Sequence, residues 1–163
     1  MKTDNQSKIS TGQKIVPFLW FKGKVEEAAH FYTSIFKNSK IVSINRMGGG
    51  GGEAFSATFQ LDGLQFYALN GGPQFSFTPA VSFFINCSTQ EEVDEFWEKL
   101  SAGGKKGRCG WLEDKYGLSW QVVPTTLGEL LSDPDPLKSQ RVMNAMMQMD
   151  KIEIKGLQQA YQS

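Results

Sequence analysis

Side chains that commonly do chemistry are sparse in this chain. There is one histidine, His30, and there are two cysteines, Cys87 and Cys109. His30 lies in a helical stretch, opposite the apolar stripe and four residues after Glu26, where a solvated role beside that acid fits. A single histidine so placed does not serve a Ser/His/Asp set. Cys109 follows Arg108; a nearby cation favours thiolate, so a nucleophile is one reading and a structural cysteine the other. Cys87 precedes a helix cap and reads as packing. The two cysteines have neither a disulfide-scaffold nor a metal-knuckle spacing. Glu26-Glu27 and Glu91-Glu92 open helices, where negative charge suits the macrodipole better than acid–base pairing. That leaves Gln121, a polar side chain within an apolar strand. A buried amide without a partner costs on the order of 1–3 kcal/mol, so Gln121 is expected to meet something polar.

The element that positions Gln121 is the stretch C-G-W-L-E-D-K-Y-G-L-S-W-Q-V-V-P, from Cys109 to Pro124. Asp114, Lys115 and Gly117 are turn residues. Leu118 to Val123 reads as a strand stopped by Pro124. Alternation puts Ser119, Gln121 and Val123 on one face and Leu118, Trp120 and Val122 on the other. The same turn-then-strand occurs earlier as L-D-G-L-Q-F-Y-A-L, Leu61 to Leu69, with Gly63 matching Gly117 and Tyr67 matching Gln121.

The rest of the chain repeats as well. Val25, Ala28, Ala29, Tyr32, Ile35 and Phe36 recur at helical spacing. A slide of 65 residues brings Glu26-Glu27 onto Glu91-Glu92, Phe31 onto Phe96, Tyr32 onto Trp97 and Ile35 onto Leu100. Ser88 and Glu91 read as the capping box of the second helix, Val93, Phe96, Trp97 and Leu100 as its buried stripe, and Gly103-Gly104 as its end. An apolar strand precedes each helix: Ile15 to Phe21, read as covered on both faces, and Val81 to Ile85. Lys40 to Met47 is a further strand, and Ala54 to Leu61, Asp62-Gly63 and Leu64 to Leu69 form a hairpin. The five glycines Gly48 to Gly52 lack G-x-x-x-x-G-K-[ST] and no helix follows them, so a mobile hairpin tip is favoured over a phosphate cradle. Each copy reads β-α-β-β-β, about residues 14–70 and 79–124. The expectation is an α+β fold of two βαβββ units in a curved sheet, helices outside and a cup inside. After Pro124 come a helical turn at Leu127 to Leu131, the D-P-D-P turn, a helix to about Met149, and a last helix from Ile154 to Tyr161. Met143, Met146, Met147 and Met149 read as gap-filling core or a subunit contact. Residues 1–13 are expected to be a disordered arm, and 14–163 a single domain.

The 17 basic and 17 acidic residues cancel, so the chain has no field to attract nucleic acid or an acidic membrane. No apolar run approaches the roughly 20 residues of a membrane span. The first 13 residues lack the apolar core of a signal peptide, which predicts a cytoplasmic protein. Twelve phenylalanines and four tryptophans suit a packed core or an aromatic-lined pocket.

Four segments together resemble a known family: P-F-L-W-F at Pro17, E-E-A-x-x-F-Y-x-x-I-F at Glu26, A-L-N-G-G-P at Ala68, and G-W-L-x-D-x-Y-G-L-S-W-Q-V-V-P at Gly110. They are similar to the PhnB-like branch of the vicinal oxygen chelate superfamily, which also holds glyoxalase I, bleomycin-resistance proteins and extradiol dioxygenases. Members of this branch often carry the name 3-demethylubiquinone-9 3-methyltransferase. The resemblance covers about residues 14 to 161 and implies the paired βαβββ fold. It also implies metal ligands at the first and last strand of each repeat in metal-using members. Here those places fall near Val16, Tyr67, Ala80 or Val81, and Gln121, which do not make a His/Glu/Gln ligand set. The metal site is read as lost.

The expected function is small-molecule binding without a metal or cofactor, in a cup lined by Phe18, Trp20, Tyr67, Phe83 and Gln121, for a flat or apolar ligand. The alternative is an enzyme on a small metabolite, with an unusually held metal or with a methyl donor as the branch name suggests. No glycine turn joins a strand to a helix as in doubly wound methyl-donor sites. A homodimer formed through the C-terminal helices is also expected. Purified protein should hold no stoichiometric zinc, nickel or manganese by elemental analysis; about one tightly held ion per chain would overturn the metal-free reading.

Overall fold

The computed structural model describes residues 12–48 and 50–163. Most of the N-terminal arm and Gly49 of the glycine run lie outside those residues. The chain divides into two compact units, Met1–Ser76 and Phe77–Ser163.

The first unit runs β1 (Phe18–Phe21), α1 (Val25–Ile35), β2 (Lys40–Arg46), β3 (Ala54–Leu61) and β4 (Leu64–Asn70). Its sheet has the order β1-β4-β3-β2, with β1 parallel to β4 and the other pairs antiparallel. Asp62 and Gly63, both at positive φ, make the tight turn whose twist matches the strands it joins. Val25, Ala28, Ala29, Tyr32 and Ile35 form the buried stripe of α1, and Tyr32 lies 6.1 Å from Phe59, which stacks on Phe66 at 5.5 Å. β1 is shorter than expected and covered on one face: Leu19 and Phe21 are buried, whereas Phe18 is 58% exposed.

Side-chain amides fasten this unit at its corners. Asn70 accepts the Val25 N–H at the start of α1 (2.9 Å) and donates to the Ala54 carbonyl at the start of β3 (2.9 Å). One amide thus satisfies an orphan donor of the helix and fixes it to the sheet. Gln13 was expected in the free arm. Instead its side chain accepts the Gln65 N–H (2.9 Å) and donates to the Gln65 carbonyl (3.1 Å), as a neighbouring strand would. Arg46 donates to the Gly52 carbonyl (3.3 Å) and pairs with Glu26, so Glu26 serves a strand on another element rather than His30.

The second unit repeats the order: β5 (Ser82–Cys87), α2 (Gln90–Ser101), β6 (Lys105–Lys106), β7 (Trp111–Glu113) and β8 (Ser119–Pro124). Its sheet order, β5-β8-β7-β6, is that of the first unit, and β5 is parallel to β8. β6 and β7 are short because glycines crowd the chain between α2 and β7. An added Cβ at Gly104 would meet the Glu113 carbonyl at 2.1 Å, and one at Gly107 the Trp111 carbonyl at 2.7 Å. The cap of α2 is Thr89, not Ser88. Its hydroxyl accepts the Glu92 N–H (3.2 Å), while the Glu92 carboxylate takes the Ser88 N–H (2.7 Å). The pairing is that of a capping box moved by one residue, except that the carboxylate takes the N–H of the residue before the cap.

Asp114 is more than a turn residue. Its side chain is buried and receives the N–H groups of Tyr116 (2.8 Å) and Leu118 (3.1 Å) on one oxygen and the Trp120 indole N–H (2.9 Å) on the other. It ties the turn to the core face of β8.

Three helices follow: α3 (Thr125–Leu131), α4 (Pro136–Met146) and α5 (Ile154–Gln162). They bury Val123, Leu127, Val142, Ile152 and Leu157 in one cluster, with Met146 and Met149 packed against it. Two of the four methionines thus fill gaps, while Met143 and Met147 are exposed. Gln90 fastens the segment before α5, donating to the Ile152 carbonyl (3.1 Å) and accepting the Ile154 N–H (2.8 Å). Among the described residues no helix is long and apolar enough to cross a membrane.

Asp114→Ala leaves the Trp120 indole N–H in an interior without that acceptor, so it should destabilise the chain by about 3 kcal/mol in urea unfolding, and Asp114→Asn by less. In the glycine run, an added Cβ at Gly52 would lie 2.1 Å from the Met47 carbonyl, whereas Gly51 has open space. Gly52→Ala should lower the Tm measurably and Gly51→Ala leave it nearly unchanged.

Candidate functional site

Each sheet has one face buried and one open, and strand register decides which side chains reach the open face. In the first unit, Phe18 pairs with Tyr67 and Trp20 with Leu69. Partners in a parallel ladder point the same way, so Phe18, Trp20 and Tyr67 share a face, as expected. The Phe18 and Tyr67 rings are 6.0 Å apart. The Tyr67 hydroxyl accepts a hydrogen bond from the Gln65 amide (3.2 Å). Trp20 is held hard: its indole N–H donates to the Gly72 carbonyl (3.0 Å), and Phe75 meets its ring edge-on at 5.0 Å. A Cβ at Gly71 would lie 2.1 Å from that ring. The Gly71-Gly72 pair of the A-L-N-G-G-P segment therefore gives Trp20 its seat.

In the second unit, Gln121 is on the open face and half-buried. Its amide donates to the Ser82 hydroxyl at 2.9 Å, so the polar partner expected for Gln121 is in part another side chain. Phe83 is elsewhere. It pairs with Trp120, with rings 5.5 Å apart, and so shares the face of buried Leu112, Trp120 and Val122. Phe84 is the partner of Gln121 and is 52% exposed. Trp111 pairs with Gln121 from the other side. The placing of Phe83 beside Gln121 is thus corrected by one residue, because a one-residue shift along a strand exchanges its faces. Ser82, Phe84 and Trp111 were not anticipated. The pairing of β5 with β8 identifies them, and two adjacent phenylalanines give no alternation from which to read it.

The same register bears on the ligand positions that the resemblance implies. Val16 stands two residues before Phe18, the partner of Tyr67; Ser82 stands two before Phe84, the partner of Gln121. The matching place in the second unit is therefore Ser82, not Ala80 or Val81. Only the Gln121 amide is a ligand of that kind; an isopropyl group, a phenol and a hydroxyl beside it do not make a His/Glu/Gln set for a divalent ion. Among the described residues, no three His, Cys, Asp or Glu side chains come together as a metal-holding group. His30 is exposed on α1. Cys87 is fully buried; burial, and less strongly Glu92, push its thiol up to about 12, against a weaker opposing hydrogen bond from the Val123 backbone. It is a neutral packing group at ordinary pH. The Cys109 thiol points to the Met146 carbonyl at 3.7 Å, beneath the C-terminal helices.

The family model for 3-demethylubiquinone-9 3-methyltransferase matches residues 13–123. A PhnB protein from Bacillus cereus that carries the same family name is 42% identical, over 69% of this chain and 99% of that one, with a TM-score of 0.64. Protein PA1353 from Pseudomonas aeruginosa is 18% identical over 69% and 98%, with a TM-score of 0.58. The fosfomycin resistance protein FosX from Listeria monocytogenes is 21% identical over 75% and 98%, with a TM-score of 0.53. Those last two likenesses are of fold. No curated protein matches the chain. Repeated strand order, signature segments and the matched family agree: the chain belongs to the PhnB-like 3-demethylubiquinone-9 3-methyltransferase family.

Proposed function

We propose that this chain binds a small, flat, largely apolar metabolite on the open faces of its sheets, without a metal. The observation that carries the reading is the kind of group found at the ligand positions that the resemblance implies: Val16, Tyr67, Ser82 and Gln121 offer contact area and hydrogen bonds rather than a charged ligand set. Phe18, Trp20 and Tyr67 supply aromatic surface in the first unit, and Gln121, with Phe84 in place of Phe83, supplies it in the second. Apolar walls with few polar groups are what small-molecule sites use to hold and orient a ligand. Trp20, fixed by Gly72 and Phe75, supports a preformed surface, which lowers the ordering cost of binding.

Methyl transfer is the second reading, favoured by the name of the matched family. It predicts saturable binding of a sulfonium methyl donor in calorimetry, which the first reading does not. Exposed Leu137, Met143 and Met147 at α4 support a homodimer through the C-terminal helices, to be measured by light scattering.

A native mass spectrum of the protein as purified tests the main reading, with a retained small molecule as the expected result. Gln121→Leu should keep the fold, because its amide is half-exposed, and weaken binding of that molecule about tenfold. Unchanged binding would remove Gln121 from the site.

A further inference from the structure

We propose that the open face of the second unit recognises the edge of a lactam-type ring, a planar ring with an N–H donor beside a C=O acceptor, through Gln121 and Ser82. This rests on the small-molecule reading above and names the ligand class.

Phe84, Gln121 and Trp111 stand in register on three adjacent strands, β5, β8 and β7, and so form one row across the sheet. Adjacent strands are about 4.8 Å apart, so the two aromatic residues flank the amide over roughly 10 Å. Two fused rings lying across β8 fill that span. Ser82, diagonal to Gln121, holds the amide at 2.9 Å by accepting from its nitrogen. This bond fixes the side chain and determines what is left over. The Gln121 carbonyl oxygen remains as an acceptor, and the Ser82 hydroxyl hydrogen and the second Gln121 amide N–H as donors, none with a partner among the described residues.

An acceptor beside a donor selects by chemistry. A carboxylate would set its charge against the Gln121 oxygen. A phenol carries its donor and its acceptor on one oxygen, so it serves both groups only by bridging them at a single atom. A lactam edge offers its N–H to the Gln121 oxygen and its C=O to the Ser82 hydroxyl, satisfying both at once. A site built to pair such groups rejects an analogue lacking one of them more strongly than an apolar pocket rejects a missing methylene, because its own polar groups are then left unpaired. The nearby acid Glu113, on the same face opposite Ser119, is engaged by Lys105 (3.3 Å), so it does not turn the row toward cations.

The test uses quinolin-2(1H)-one and its N-methyl derivative, titrated into the full chain and followed by amide and indole NMR shifts. Expected are shifts at Phe84, Trp111 and Gln121, with the N-methyl compound at least tenfold weaker. Ser82→Ala and Gln121→Leu should each weaken quinolinone about tenfold and bring the two compounds close together, their circular dichroism being unchanged. Equal affinities of the two compounds for the unaltered protein, or shifts confined to the Phe18 and Tyr67 face, would overturn the lactam site and leave the broader reading standing. If neither compound binds and no small molecule is retained in the native mass spectrum, the broader reading fails, and this proposal with it.

Discussion

Each unit depends on a parallel pairing between the first and last strands of its repeat. Parallel strands cannot be joined by a tight turn, so the chain must leave the sheet, cross as a helix and return through two more strands. The helix buries one face at the cost of ordering a long segment, and the other face stays open. Four register pairs between β1 and β4 and six between β5 and β8 then decide which side chains are core and which are available. Fold and candidate site are two consequences of one ladder.

The family's signature residues mostly serve that ladder. Asn70 joins helix, hairpin and closing strand in the first unit; Asp114 joins turn and closing strand in the second. The two units meet the same need for a polar fastening with different residues at different places. Gly71 makes room for an indole, and Trp120 bonds inward to Asp114. Ser82 and Phe84, by contrast, lie outside the signature segments. The signature segments therefore carry the scaffold together with Phe18, Trp20, Trp111 and Gln121 of the open faces, and Ser82 and Phe84 are added to that surface from outside them.

How much was legible follows from the same physics. The helices and closing strands could be read because their apolar spacing repeats and because Gly63 and Gly117 mark the turns. The register of β5 could not: in S-F-F-I-N-C both possible faces carry an aromatic, and only pairing with β8 shows that Phe84, not Phe83, joins Gln121. Ser88 and Thr89 are both competent caps, so the sequence left a choice that backbone geometry made. Asp114 looked like a turn residue, and it is one, but the bond to the Trp120 indole spans six positions and has no local pattern. Gln13 was assigned to the arm because it is polar and precedes the apolar run; its partner is 52 residues away.

The indoles divide between the two kinds of surface. Trp97 and Trp120 are buried, whereas Trp20 and Trp111 are half-buried on open faces. An indole in an apolar interior emits at shorter wavelength than one that water can reach. The intrinsic emission of this chain should therefore contain two separable populations. The blue one reports whether the core is intact, and the red one reports what touches the sheet faces. The first unit contributes only Trp20, to the red population, whereas the second contributes Trp97 and Trp120 to the blue one and Trp111 to the red, so the blue signal is an optical label for the core of the second copy and the red one for a face in each.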